Sequence, residues 1–231
     1  MRIFIMSVIG LFVLASVTPA HASDDQVLCE TAAEKAERRH ALPDKLLQAI
    51  SIVETGRAGP DAQTAWPWTV NIAGRGHYFK SLKEARSFAQ SKAKLGASSM
   101  DIGCFQINTK WHGKSFSTIN TMFDPETGAD YAASFLKDLQ IEFGDWDKAV
   151  KNYHSRTTTK GERYGKKVSA VMENISADKD TPEKKSLLTA VAPLTRFQPG
   201  GVELAIFASG SPLAKDATRR PLLSTENSSW K

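Results

Sequence analysis

The chain has 231 residues, with 30 Lys and Arg against 25 Asp and Glu, a net charge of +5, 41% hydrophobic residues and two cysteines. That length and apolar content suffice for one good-sized domain with appendages. The basic balance comes without an Arg/Lys-rich helix, a recognition-helix pattern or a zinc-finger spacing, which argues against a nucleic-acid partner and suits a polyanionic wall or membrane surface.

Residues 1–22 read as a secretory signal peptide. Arg2 supplies the positive start, 3–17 is mostly apolar, and Thr18-Pro19-Ala20-His21-Ala22 ends in a small-x-small cleavage pattern. The apolar run is short for a membrane span and no second long one follows, so the mature protein is expected to be soluble and exported. An uncleaved N-terminal anchor is the alternative. Arg2 is the only charged residue in the segment, and its removal takes +5 to +4. Cys29 and Cys104 both lie beyond the cleavage point. An even count in an oxidising compartment suggests a disulfide, with two buried free thiols as the alternative. Closing a loop of about 75 residues would add roughly 4 kcal/mol in the chain-entropy picture. Neither cysteine has a His at a spacing that suits thiolate catalysis.

The first helix is predicted over 26–39. Leu28, Cys29, Ala32, Ala33 and Ala36 form its apolar stripe, with Glu30, Glu34, Lys35 and Glu37 on the wet face. His40-Ala41-Leu42-Pro43 breaks it, and a second helix follows after a short link, as in a helical hairpin. Asp44 is the expected N-cap of that helix, and Gly56 the expected left-handed residue at its end. Leu46, Ile50 and Val53 share one face, and Glu54 sits on the edge of that stripe in the last turn. Apolar neighbours desolvate a carboxylate there, and the negative end of the helix dipole opposes its charge. Both effects favour the protonated form that general acid catalysis needs. The alternative is a surface Glu that bends out to water.

Arg57-Ala58-Gly59-Pro60-Asp61 is turn chemistry. A small β-hairpin is predicted next, with strands at 66–72 and 77–79 joined through Ala73-Gly74-Arg75-Gly76. Ser81-Leu82-Lys83-Glu84 has the form of a capping box opening a helix to about Leu95, which Gly96 ends. Asp124-Pro125-Glu126 starts another helix, whose Ala129, Ala132, Ala133, Phe135, Leu136 and Leu139 indicate deep burial. Gly144-Asp145 is a turn, and further helices are predicted over 146–154 and 161–175. From 176 to 231 the composition shifts to Ser, Thr, Pro, Lys and Gly with no sustained period. One apolar island, 201–208, is a candidate docking motif in that tail, and no internal repeat is visible.

The order of motifs resembles the soluble lytic transglycosylases, enzymes with a lysozyme-like fold that cleave peptidoglycan glycan strands. A helical Leu46-Leu47-x-Ala49-Ile50-x-x-x-Glu54 precedes Gly103-Cys104-Phe105-Gln106-Ile107. Then come Phe123-Asp124-Pro125-Glu126, Ala149-Val150-x-x-Tyr153 and Tyr164-x-x-x-Val168. The resemblance covers roughly 29–175. It implies a mainly α (α+β) fold, a lysozyme-like helical domain over 23–175 with a small β-hairpin, and the composition beyond it reads as a flexible C-terminal tail over 176–231. It also implies that Glu54 is the single catalytic acid/base, which protonates the glycosidic oxygen leaving N-acetylmuramic acid. Glu54 would then deprotonate that sugar's own primary hydroxyl, which attacks the anomeric carbon to leave an anhydro end. Gly103 and Gln106 would line the cleft, where a glycine admits close backbone approach and an amide both donates and accepts. Tyr153 would hold the acid or the N-acetyl group, and Tyr164 would be a further sugar-contacting tyrosine. Trp66, Trp68 and Tyr78 are candidates for stacking on sugar faces, or for packing.

The sequence departs from the family pattern at Thr55, where Ser is usual, at Cys104-Phe105, where aliphatics are usual, and at His154-Ser155, where Asn-Ala-Gly is usual. The stretch between Glu54 and Asp101 is also long, and the hairpin with its following helix looks like an elaboration. That form is seen in relatives dedicated to secretion systems and flagella, so the tail is expected to dock a component of such a machine. In that form the cysteine pair would tie the first helix to the Gly103–Gln106 segment. The expected partners are peptidoglycan strands and no nucleic acid; the expected state is a periplasmic monomer. Metals and organic cofactors are not implied, because His40, His77, His112 and His154 show no ligand spacing. A lysozyme-like hydrolase is the nearest rival and would need a second carboxylate about 5–9 Å from Glu54, for which Asp101 and Asp61 are the candidates. A non-catalytic peptidoglycan-binding module is the rival from another class.

Overall fold

The computed structural model describes residues 22–58 and 63–179. The signal segment up to His21, the turn residues Gly59, Pro60 and Asp61, and the tail from Asp180 onward with its apolar island lie outside the described residues. Helix α1 (Ala22–His40) buries Cys29, Ala32, Ala33 and Ala36, as its stripe predicts. Glu37 departs from the predicted wet face. Its carboxylate is buried and accepts the backbone N–H of Lys45 at 3.3 Å, of Leu47 at 2.7 Å and of Gln48 at 3.0 Å. The Gln48 side-chain amide donates to it as well, at 2.9 Å.

Those amides open α2 (Leu46–Thr55), where a helix start has donors without partners. Asp44 is therefore not the cap. It is exposed, Lys45 occupies the cap position at φ 67° without its side chain capping the helix, and the acceptor arrives from the preceding helix. Gly56 also differs from expectation, with φ −58° rather than a left-handed value. It is needed for space: a Cβ there would strike the Ile52 carbonyl and lie 2.8 Å from the Gln63 side chain.

Strands β1 (Arg57–Ala58) and β2 (Gln63–Thr64) form an antiparallel ribbon. The predicted hairpin follows as β3 (Thr69–Ile72) and β4 (Arg75–Tyr78), with a tighter turn than expected. Ala73 and Gly74 alone make it, both at positive φ, the geometry whose twist suits a two-residue connection. β5 (Asp101–Ile102) pairs with the other side of β3, and β6 (Ile107–Asn108) with β5, so the sheet order is β4-β3-β5-β6. These two strands were not expected, since two residues each carry no readable period.

Helix α3 (Leu82–Lys94) starts on the predicted cap, with Ser81 Oγ accepting the Glu84 N–H at 3.3 Å, and Gly96 follows it at φ 90°. Its Phe88 packs on Phe79 and His77 of the hairpin. The short α4 (Thr109–His112) begins on Asn108, which the sequence reading did not assign. Helix α5 (Pro125–Phe143) is capped by Asp124, whose Oδ1 accepts the Thr127 N–H at 2.8 Å, and it ends on Gly144 at φ 71°. α6 (Trp146–His154) is capped by Asp145. α7 (Thr158–Lys179) starts earlier than predicted and runs past the expected boundary at Ile175.

The described residues thus form a mainly helical α+β domain with seven helices and a four-stranded antiparallel sheet beside the two-stranded ribbon. α1 packs on α5 and α2, α5 on α6, α6 on α7, and α7 returns to α2. α2, which carries Glu54, is held among them. The Cys29–Cys104 disulfide, with Cα atoms 5.6 Å apart, ties α1 to the turn between β5 and β6. Among the described residues no helix is long and apolar enough to cross a membrane.

Candidate active site

Glu54 closes the last turn of α2 and is only 5% exposed. Its Oε1 accepts a hydrogen bond from the Tyr164 hydroxyl at 2.7 Å. Burial pushes its pKa from the ordinary 4.5 up to about 8, with the negative charge of Asp101 adding to the rise. The Tyr164 hydrogen bond and, more weakly, the Lys167 ammonium oppose it. Desolvation wins, so at neutral pH this carboxyl keeps its proton.

Tyr164 reaches Glu54 from α7, which packs on α6 through two glycines. Gly161 and Gly165 face Lys151: a Cβ on Gly161 would lie 3.0 Å from the Lys151 carbonyl, and one on Gly165 would lie 3.1 Å from its Cγ. Lys151 Nζ then spans the two helices, pairing with Asp147 at 2.6 Å and Glu162 at 2.9 Å. The close approach lays the His154 ring flat on Tyr164, centroids 4.6 Å apart and planes 9° from parallel. Burial lowers the His154 pKa to about 4, helped by Lys160 and Lys167, so the ring is neutral at pH 7. Its Nδ1 is buried without a hydrogen-bond partner among the described residues.

Tyr153 lies fully buried beside Tyr164, its ring nearly parallel at 6.4 Å. Its hydroxyl donates not to Glu54 but to the Phe105 carbonyl, at 3.1 Å. Tyr153 therefore anchors the turn that holds Gly103 and Gln106, and Tyr164 is the tyrosine on the Glu54 carboxyl. Gly103 sits at φ 72° with its N–H on the Thr69 carbonyl at 2.9 Å, and a Cβ there would lie 3.1 Å from the Met122 carbonyl. Gln106 is buried at φ 47°, and its side-chain amide donates to the Gly103 carbonyl at 2.9 Å. That amide hydrogen is spent on closing its own turn.

The structure thus brings Glu54 and Tyr164 into contact and links Tyr153 to the segment of Gly103 and Gln106. Trp66 and Trp68 are buried, with their indole N–H groups on the Phe79 carbonyl at 2.8 Å and on Asp25 at 2.8 Å, so they are packing residues. Only Tyr78 of the three stays open, at 40% exposure. Asp101 is buried and accepts from Asn108 Nδ2 at 2.6 Å. Asp61, the other carboxylate considered, lies outside the described residues. Lys167 escaped the sequence reading, although a residue three positions after Tyr164 falls on the same helical face. Among the described residues no group of three or more His, Cys, Asp or Glu side chains is placed to hold a metal ion.

No curated protein and no solved structure matches the chain. A family model does: the transglycosylase SLT domain, over residues 31–174. That span is more than half of the chain and contains Glu54, the Gly103–Gln106 turn, Tyr153 and Tyr164. The chain belongs to the transglycosylase SLT domain family, the peptidoglycan lytic transglycosylases.

Proposed function

We propose that Glu54 is the one catalytic acid/base of a lytic transglycosylase that cleaves after N-acetylmuramic acid. The observation that carries this reading is the burial of the Glu54 carboxyl, 5% exposed in the last turn of α2, which pushes its pKa up to about 8. The neutral carboxyl gives its proton to the glycosidic oxygen as the bond to the anomeric carbon breaks. The primary hydroxyl of the same sugar then attacks that carbon and returns its proton to Glu54. The product is an anhydro ring, and no water is consumed. Tyr164 holds Oε1 by a 2.7 Å hydrogen bond, which leaves the second oxygen to exchange the proton. Tyr153 supports the reaction through the Phe105 carbonyl, and Gly103 and Gln106 shape the cleft wall beside the acid.

In this reading 1–22 is a cleaved export signal, 23–175 the core of the enzyme and 176–231 an appended tail. The protein works in the periplasm as a monomer that opens the wall locally, with the tail docking a secretion-system or flagellar component. The signal pattern and the hairpin elaboration support that assignment.

A hydrolase is the second reading, and one observation favours it: Asp101 is buried and close enough for its charge to oppose ionisation of Glu54. Mass spectrometry of purified peptidoglycan digested by the mature protein, with Glu54→Gln alongside, separates the two. Anhydro-muropeptides that vanish in the variant are expected. Reducing-end products would instead make Asp101 a catalytic partner and overturn the transglycosylase.

A further inference from the structure

We infer that Arg57 is a binding site for a carboxylate of the peptide stem on the glycan, an inference that rests on the peptidoglycan reading above. Arg57 follows Glu54 by three residues and is exposed. Gly56 lets the chain turn directly out of α2 into β1, where Arg57 pairs with Thr64. Two hydrogen bonds fix what stands over it. The Trp66 N–H donates to Thr55 Oγ1 at 3.1 Å, which pins the exit of β2 to the end of the acid's helix. The Trp66 indole N–H donates to the Phe79 carbonyl at 2.8 Å, which sets the plane of the ring.

The Arg57 guanidinium lies 5.0 Å from the Trp66 ring centroid and 5.5 Å from that of Tyr78. The cation thereby engages both rings. The aromatic contacts hold the side chain, and among the described residues no side chain takes its in-plane N–H fork. No carboxylate among the described residues forms an ion pair with it. A fixed guanidinium of this kind matches a carboxylate in two parallel hydrogen bonds. The sugars of the strand carry no charge once the lactyl group is joined to peptide, so the carboxylates of the substrate are those of the stems.

The test is binding, which does not depend on turnover. Glu54→Gln protein is titrated with soluble glycan strands bearing tetrapeptide stems and with the same strands stripped of peptide by an amidase, their freed lactyl carboxyls then capped as methylamides so that this polymer carries no carboxylate. Stem-bearing strands are expected to bind about tenfold more tightly, the size of a partly exposed charge-assisted contact. Arg57→Ala in that background should bring the two affinities together. Arg57→Lys, which keeps the charge and loses the fork, should recover less than half of the preference on a logarithmic scale. Absence of binding to stem-bearing strands, equal binding of the two polymers, or a preference that survives Arg57→Ala overturns the site. The reaction is judged separately: anhydro ends with an unchanged Arg57→Ala preference sink the stem site alone. Stem binding through Arg57 without anhydro ends would sink only the transglycosylase.

Discussion

Replacing Glu54 by Gln should stabilise the protein, and by an amount that grows with pH. The folded carboxyl has a pKa of about 8 against an ordinary 4.5. Below the unfolded value both states are protonated, and Glu54 costs no ionisation. Between the two values the unfolded chain releases the proton and the folded chain keeps it, so the stability of the parent falls as pH rises. Above about 8 the loss is complete. At about 1.4 kcal/mol per unit the shift sets a ceiling near 5 kcal/mol, and relaxation around the ionised carboxylate brings the expected loss to roughly 2–4 kcal/mol. A Gln of the same shape still accepts from Tyr164 and does not titrate. Burial holds Tyr153 and Tyr164 well above their usual range, so neither ionises in this window. Groups common to both proteins cancel in the difference. Urea unfolding with the disulfide intact, run for both proteins from pH 4.5 to 8.5, should give curves that diverge upward. Parallel curves would refute the burial argument for Glu54.

Tyr164→Phe removes the hydrogen bond that holds the Glu54 pKa down, so its midpoint should climb by about 1–2 units from near 8. Carbon-13 NMR of the Glu54 carboxyl reads this directly, and an unchanged or lower midpoint contradicts the assigned contact. Glu37→Ala should cost about 2–3 kcal/mol, because it strands amides at the start of α2, while Asp44→Ala stays within about 0.5 kcal/mol. Denaturant titration of the two variants compares them, and a larger loss at Asp44 would reverse the cap assignment. Gly103→Ala should cost about 1–3 kcal/mol, since its φ of 72° and the nearby Met122 carbonyl both oppose a Cβ. A thermal midpoint equal to that of the parent would show the turn to be more permissive than drawn.

Much of the helical frame is legible in the sequence because its signals are local. Ser81 and Asp124 each accept from an amide three residues on, and Gly96 and Gly144 stand where left-handed residues end helices. What escaped is what long-range contacts decide. Glu37 sits where a helical wheel points it outward, yet α2 supplies donors that draw it inward. β5 and β6 exist only because β3 offers an edge to pair with. The tyrosine contacts are set in the same way, Tyr153 on the Phe105 carbonyl and Tyr164 on the Glu54 carboxyl. Motif order places both near the acid, but the glycine-mediated contact of α6 with α7 decides which hydroxyl reaches it. Arg57 reads as part of a turn, and only the folded hairpin brings Trp66 and Tyr78 over it.

The buried Glu37 carboxylate also bears on how the chain is made. α2 has ten residues, below the roughly 12–15 at which an isolated helix holds its shape in water. Its start is completed by an acceptor eight to eleven positions upstream. Along the chain that acceptor comes first, on the preceding helix, ahead of every one of its donors. A fragment beginning at Ala41 would lack it, and a circular permutant opened between α1 and α2 would make the acid's helix before its anchor.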